Sequence, residues 1–187
     1  SALKEAIAAL NTAEFVAIDT EFMRESTYYP QLCLVQLCAG KHAFCVDPLA
    51  DGLDLSPLFD LLGNAAITKV FHAGRQDLEI FVHLTGSVPA PVYDTQIAAM
   101  VCGLGDQVGY DKLVQHYKHL QIDKSSRFTN WSQRPLSDRQ IHYALDDVIH
   151  LADIYPRIRA DLTANGRDEW VRSELASVGD IQLYQTD

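Results

Sequence analysis

Asp19 and Glu21 stand one residue apart where the apolar run Phe15-Val16-Ala17-Ile18 ends. The run predicts a buried strand. Alternate side chains of a strand share a face, so the two carboxylates point the same way. Like charges held together are costly unless a cation lies between them, and oxygen donors suit a hard ion such as Mg²⁺ or Mn²⁺. The pair alone also fits a strand that simply ends in water, so the question is whether other acids join it.

Two further segments carry candidates. In Val70-Phe71-His72-Ala73-Gly74-Arg75-Gln76-Asp77 a strand ends, a glycine turns the chain, and Asp77 enters the first turn of a helix. Open α/β sheets place their sites at strand ends, although an acid there also suits the helix macrodipole. In Tyr143-Ala144-Leu145-Asp146-Asp147, Tyr143 and Asp147 lie four apart on one helix face, with Asp146 turned about 100° away. His142, five residues before Asp147, competes with Tyr143 for that acid's company.

The elements that must position these groups follow from the pattern. Leu3, Ile7 and Leu10 predict a short helix ahead of the first strand. Strands over 32–38 and 42–46, joined at Ala39-Gly40-Lys41, make an antiparallel meander with it, and residues 23–30 form a loop. Ser56 as N-cap and Pro57 at the first helical position open a helix to Leu62. A strand over 67–71 leads to a helix over 75–84 closed by Gly86. Val92-Tyr93 is a short strand, Asp94 caps a helix over 95–101, and another helix spans 110–117. Ser137 and Gln140 form a capping box at the head of a long helix, with Pro156 as its kink or end. Helical periodicity returns at Trp170, Val171 and Leu175. The sum is an α/β chain: a mixed sheet, antiparallel meander then parallel strands, flanked by helices.

A chain of 187 residues, 48% hydrophobic, supports one domain with a full core. No apolar stretch is long enough to span a membrane, and Ser1-Ala2-Leu3-Lys4 leads straight into a helical pattern rather than a signal peptide. Cys33, Cys38, Cys45 and Cys102 lack CxxC spacing and read as small hydrophobes, consistent with a reducing cytoplasm. The net charge of −10 excludes a broadly basic nucleic-acid coat. The charge is uneven: residues 1–111 hold 5 Lys and Arg against 14 acids, and the remainder 10 against 11. An acidic front half repels phosphate unless metal ions neutralise it. Any grip on nucleic acid therefore falls to the second half, where Lys124, Arg127, Phe128, Trp131 and Arg134 interleave basic and aromatic side chains.

Asp19-Thr20-Glu21, His72 with Asp77 five residues on, and Tyr143 with Asp147 four on resemble, in order, the three motifs of the DEDD exonuclease superfamily in its tyrosine variety. The flanks are similar to those of the ribonuclease D family: DTEFMRESTYYPQLCLVQ from Asp19, HAGRQD from His72 and WSQRPL from Trp131. The resemblance implies a ribonuclease H-like fold. It implies two divalent ions, Mg²⁺ or Mn²⁺, held by Asp19, Glu21, Asp77 and Asp147, and hydrolysis of single-stranded RNA from its 3′ end to nucleoside 5′-monophosphates. Tyr143 would orient the attacking water, since a phenol near pKa ~10 is a poor base. Thr20, Phe22 and Met23 would pack the terminal nucleotide, His72 would touch substrate, Lys124 would meet phosphate, and Arg134 would pair with RNA, with Trp131 as a loop anchor. The substrates implied are tRNA precursors or other stable RNAs, acted on by a cytoplasmic monomer. Residues 1–178 would form the exonuclease domain, and 179–187 resemble the connection to an HRDC domain. DNA remains an alternative substrate for the same chemistry. A non-catalytic RNA-binding module on this fold is a third reading, against which the four acids count.

Overall fold

The computed structural model describes residues 1–24 and 28–185. The run around Val16 and Ile18 is the central strand β1 (Phe15–Met23) of a five-stranded sheet. β2 (Gln31–Ala39) and β3 (His42–Val46) follow it as the antiparallel meander. β4 (Thr68–Phe71) and β5 (Val92–Asp94) add in parallel on the other side, giving the order β3-β2-β1-β4-β5. The pairing of β1 with β2 slips between Glu21 and Phe22. Such a bulge bends a strand locally, here at the end that carries the acids.

Helices cover both faces. α1 (Ala2–Ala8), α2 (Ser56–Gly63), α3 (Arg75–Thr85) and a 3₁₀ turn at Ile181–Tyr184 share a core with Val16, Ile18 and Leu37. α4 (Thr95–Val101), α5 (Tyr110–Lys118), α6 (Asp138–Ala164) and α7 (Asp168–Val178) share the other with Ala17, Cys38 and Val70. The alternation along β1 sets this division. Its even-numbered residues face α3 and its odd-numbered ones face α6.

The capping box forms as expected, Ser137 Oγ accepting from the Gln140 N–H at 3.1 Å and Gln140 Oε1 from the Ser137 N–H at 3.0 Å. Gly86 closes α3 in the left-handed conformation at φ 77°. Two local expectations change. Ser56 is the first helical residue rather than the cap, because Asp54 accepts from its N–H at 2.9 Å and its hydroxyl at 2.6 Å. α6 also continues past Pro156 to Ala164, held in the core by Ile154, Tyr155 and Ile158 around the proline. Of the loop expected over 23–30, residues 25–27 lie outside the described residues, as do 186 and 187 of the tail. The described tail packs on the α3 layer: Tyr184 is buried there and its hydroxyl donates to the Val178 carbonyl at 2.7 Å. Among the described residues no helix is long and apolar enough to cross a membrane, and all four cysteines are free.

Candidate active site

Strand parity turns Asp19 and Glu21 toward α6, and α6 brings Tyr143 and Asp147 to meet them. Asp19, Glu21 and Asp147 each offer a carboxylate oxygen within 4.8 Å of the others. Gln36, buried on β2, donates from Nε2 to Glu21 Oε1 at 3.1 Å and fixes that carboxylate. Around them opens a cavity of about 560 Å³, which Tyr143 also lines. That is the size of a small-molecule or nucleotide site.

The electrostatics of the cluster are unfavourable without a cation. Burial is the largest cause in each case. It holds the Asp19 carboxyl well above the usual range, and the charges of Asp147, Asp77 and Glu21 push the same way. It raises Glu21 to about 9, with Asp147 adding and the Gln36 bond opposing. Asp147 rises to about 6, a hydrogen bond from Asp19 opposing. Carboxyls so reluctant to ionise together, offering only oxygen donors, are the arrangement a divalent cation reverses.

Asp77 arrives from the other layer. At the turn from β4 into α3, Ala73 adopts a left-handed φ of 54°. The N–H groups of Ala73 and Gly74 donate to the Asp94 carboxylate at 3.0 and 2.9 Å. A Cβ on Gly74 would lie 2.5 Å from Phe71 Cβ, so the turn needs glycine. This places Asp77, only 7% exposed, where the Thr20 hydroxyl donates to its carboxylate. The four acids expected together are arranged as three plus one. Three converge, whereas Asp77 lies outside that group and outside the cavity lining. Asp77 reaches the site through Thr20, which itself lines the cavity. Asp77 is nevertheless close enough for its charge to raise both of them. Burial lifts its own pKa to about 7, the Thr20 bond opposing.

The remaining candidates divide. Thr20, Phe22, His72 and Lys124 all line the cavity. His72 is already engaged through both ring nitrogens, Nδ1 at 2.8 Å from Thr95 Oγ1 and Nε2 at 2.7 Å from the Val108 carbonyl. Lys124 pairs with Asp111 at 2.8 Å, an exposed pair that a phosphate can displace. Met23 is not in the lining; it packs against the cluster of Leu34 and Trp131. His142, with 79% of its side chain exposed, faces Asp146 at 3.4 Å and lies outside the cavity.

Arg134 is the clearest correction. Nε and one terminal nitrogen grip Asp47 at 3.0 and 2.8 Å, and the terminal nitrogens also reach the carbonyls of Cys33 and Trp131, both at 2.6 Å. It staples the α5–α6 loop to β2 and has nothing left for RNA. Arg134→Ala should therefore cost about 2 kcal/mol, the scale of hydrogen bonds to charged groups, and lower the melting temperature by about 5 °C. RNA affinity of the folded variant should be unchanged, which a thermal melt beside a binding titration checks.

Two lining or supporting residues, Tyr110 and Gln36, escaped the sequence reading of the site, whereas Arg127 belonged to its basic stretch. Arg127 lines the cavity, and its charge favours ionised Glu21 and Asp147. Tyr110 lines it too, its hydroxyl donating to the Asp146 carbonyl at 2.7 Å and tying α5 to α6. Gln36 had a visible signal, a polar residue inside an apolar strand run. Tyr110 had none.

Residues 1–163 match the 3′-5′ exonuclease family. The ribonuclease D of Zymomonas mobilis is 52% identical over 179 residues, which are 95% of this chain and 46% of that protein. Escherichia coli RNase D, an exoribonuclease involved in structured RNA processing, superposes with a TM-score of 0.93 at 38% identity, covering 100% of this chain and 49% of that one. Brucella melitensis NrnC with bound Mg²⁺ superposes with a TM-score of 0.79 at 29% identity, covering 91% of this chain and 85% of that one. The same protein bound to pGG gives a TM-score of 0.81 at 29% identity, covering 91% and 84%. The chain spans about half the length of the ribonuclease D proteins it matches.

Proposed function

The chain belongs to the 3′-5′ exonuclease family, and from that premise we propose that it shortens single-stranded RNA from the 3′ end, releasing nucleoside 5′-monophosphates. Its sheet and helical layers are those of a ribonuclease H-like fold, shared with Escherichia coli RNase D. The observation that carries the proposal is the convergence of Asp19, Glu21 and Asp147 within 4.8 Å, beside a tyrosine on the same helix face as Asp147. The Mg²⁺ bound by the Brucella protein supports a divalent ion here. We assign Asp19, Glu21, Asp77 and Asp147 as the residues that would hold two Mg²⁺ or Mn²⁺ ions. Bound there, such ions supply an activated water and neutralise charge on the departing 3′ oxygen.

The chain's own residues do the rest. Burial raises the Tyr143 hydroxyl still further above its ordinary pKa. It stays protonated and serves to orient the attacking water rather than to take its proton. Gln36 keeps Glu21 in place. Arg127 and Lys124 give the acidic cavity a basic wall for phosphate. The preference for RNA over DNA rests on kinship with ribonuclease D, and the substrates proposed are the unpaired 3′ ends of structured RNAs such as tRNA precursors. The proposal also places the chain in the cytoplasm as a monomer, with residues 1–178 as its exonuclease domain.

The test is digestion of 5′-labelled single-stranded RNA and DNA of one sequence, with Mg²⁺, Mn²⁺ or chelator. RNA should shorten from the 3′ end only when a metal is present. Preferred shortening of DNA would replace the substrate while leaving the chemistry. Lys124→Ala should weaken binding and reduce the salt slope by about 0.7, one phosphate contact on a single strand. An unchanged slope would remove Lys124 from the phosphate path.

A further inference from the structure

Phe128 is the most exposed large apolar side chain among the described residues, at 90%, and it lines the same cavity as the carboxylates. Singly exposed apolar residues are common, so exposure alone carries little. Its setting carries more. The Arg127 N–H donates to the Lys124 carbonyl at 3.1 Å and the Thr129 N–H to the Ser126 carbonyl at 3.2 Å. Trp131, 2% exposed, sends its indole N–H to the Arg127 carbonyl at 3.3 Å, and Gln140 of α6 donates to Thr129 Oγ1 at 3.0 Å. The turn is tied to the core on either side of Phe128, which fixes where the backbone presents the ring before any ligand arrives.

Arg127 links the ring to the carboxylates. Its guanidinium carbon lies 5.0 Å from the Phe128 centroid. It forms no ion pair among the described residues, yet its charge is felt by Glu21 and Asp147. A free cation facing the acids, with an exposed aromatic ring beside it, suits the phosphate and base of one nucleotide. Thr20 and Phe22 on β1, which line the same cavity, are left for the terminal nucleotide.

On the exoribonuclease reading above, we propose that Phe128, with Arg127 against its ring, is the stacking platform for the nucleobase that precedes the 3′-terminal nucleotide. Stacking on an aromatic face is indifferent to base identity but needs an unpaired base. The platform therefore selects single-stranded ends, and trimming halts when a duplex reaches Phe128.

Single-turnover hydrolysis of 5′-labelled RNA with a normal or an abasic penultimate nucleotide, followed against enzyme concentration, separates grip from chemistry. With the wild-type chain the abasic RNA should need about tenfold more enzyme for half-maximal rate, the loss of one base–aromatic stack. Its maximal rate should hold, as expected when binding alone is lost. Phe128→Ala should show the same loss on normal RNA and no further loss on abasic RNA, and Phe128→Trp should keep the wild-type grip. Wild-type grip in Phe128→Ala, or an equal loss on both RNAs, overturns the platform while the enzyme remains an exoribonuclease. A wild-type chain that shortens no RNA overturns both readings together.

Discussion

Asp19→Asn should slow RNA hydrolysis by about 10³-fold or more, beyond the loss from removing a single oxyanion-stabilising donor, and should stabilise the metal-free protein. Both effects have one source. Asp19 lies at the centre of the carboxylate group, and the charges of Asp147, Asp77 and Glu21 all act on it. With the charge gone, the cation site would lose one of its carboxylates, and the remaining acids lose a repulsive neighbour. The pH dependence follows with a definite sign. Glu21 titrates from 4.5 unfolded to about 9 folded, Asp77 from 3.8 to about 7, and Asp147 from 3.8 to about 6. Carboxyls raised on folding make the folded chain bind more protons than the unfolded one, so stability falls as pH rises through that window. Melting in chelator should become easier from pH 5 to 8.5, and Mg²⁺ should reverse the trend. Melting temperatures that rise with pH in chelator would contradict the cluster's electrostatics.

Tyr143→Phe should lower the chemical step by about 10²-fold, the scale of a positioned acid–base group, with little change in RNA affinity. The substitution keeps the ring, which packs 5.9 Å from Trp131 between centroids, so the fold should survive. His142→Ala should change little, because that side chain is turned out to Asp146. The pH profile separates the two again. A histidine base would add an ascending limb near its pKa of ~6.5, whereas Tyr143 stays protonated throughout. Single-turnover rates of both variants from pH 6 to 9 measure this. A large defect in His142→Ala beside a near-normal Tyr143→Phe would reverse the assignment.

Much of the site was legible because periodicity fixes direction within an element. The two-residue spacing of Asp19 and Glu21, and the four-residue spacing of Tyr143 and Asp147, each put a pair on one face, and α6 packs over β1 with both faces inward. Periodicity says less about which layer an element joins. Asp77 was readable as a first-turn acid at a strand end, but not as a residue on the Thr20 side of β1. The partners of a charge are also invisible along the chain. Arg134 sat in a basic, aromatic stretch that suggests RNA, while its acceptor Asp47 is 87 residues away. Tyr110 enters the cavity only because α5 is tied against α6. The meander, the two parallel strands and the capping box were readable because each rests on local chemistry.

The carboxylate cluster as a cation site is the claim on which the rest depends, and calorimetric titration of Mn²⁺ tests it most directly. At pH 7, in two buffers of different ionisation enthalpy, the wild-type chain should bind Mn²⁺ and release protons. Glu21, raised to about 9, holds its proton at that pH until a cation displaces it, and burial and neighbouring charges raise Asp19 as well. Asp19→Asn should abolish the tight binding. Mn²⁺ binding without proton release, or binding that Asp19→Asn leaves intact, would place the metal elsewhere and contradict the active site described for Asp19, Glu21 and Asp147.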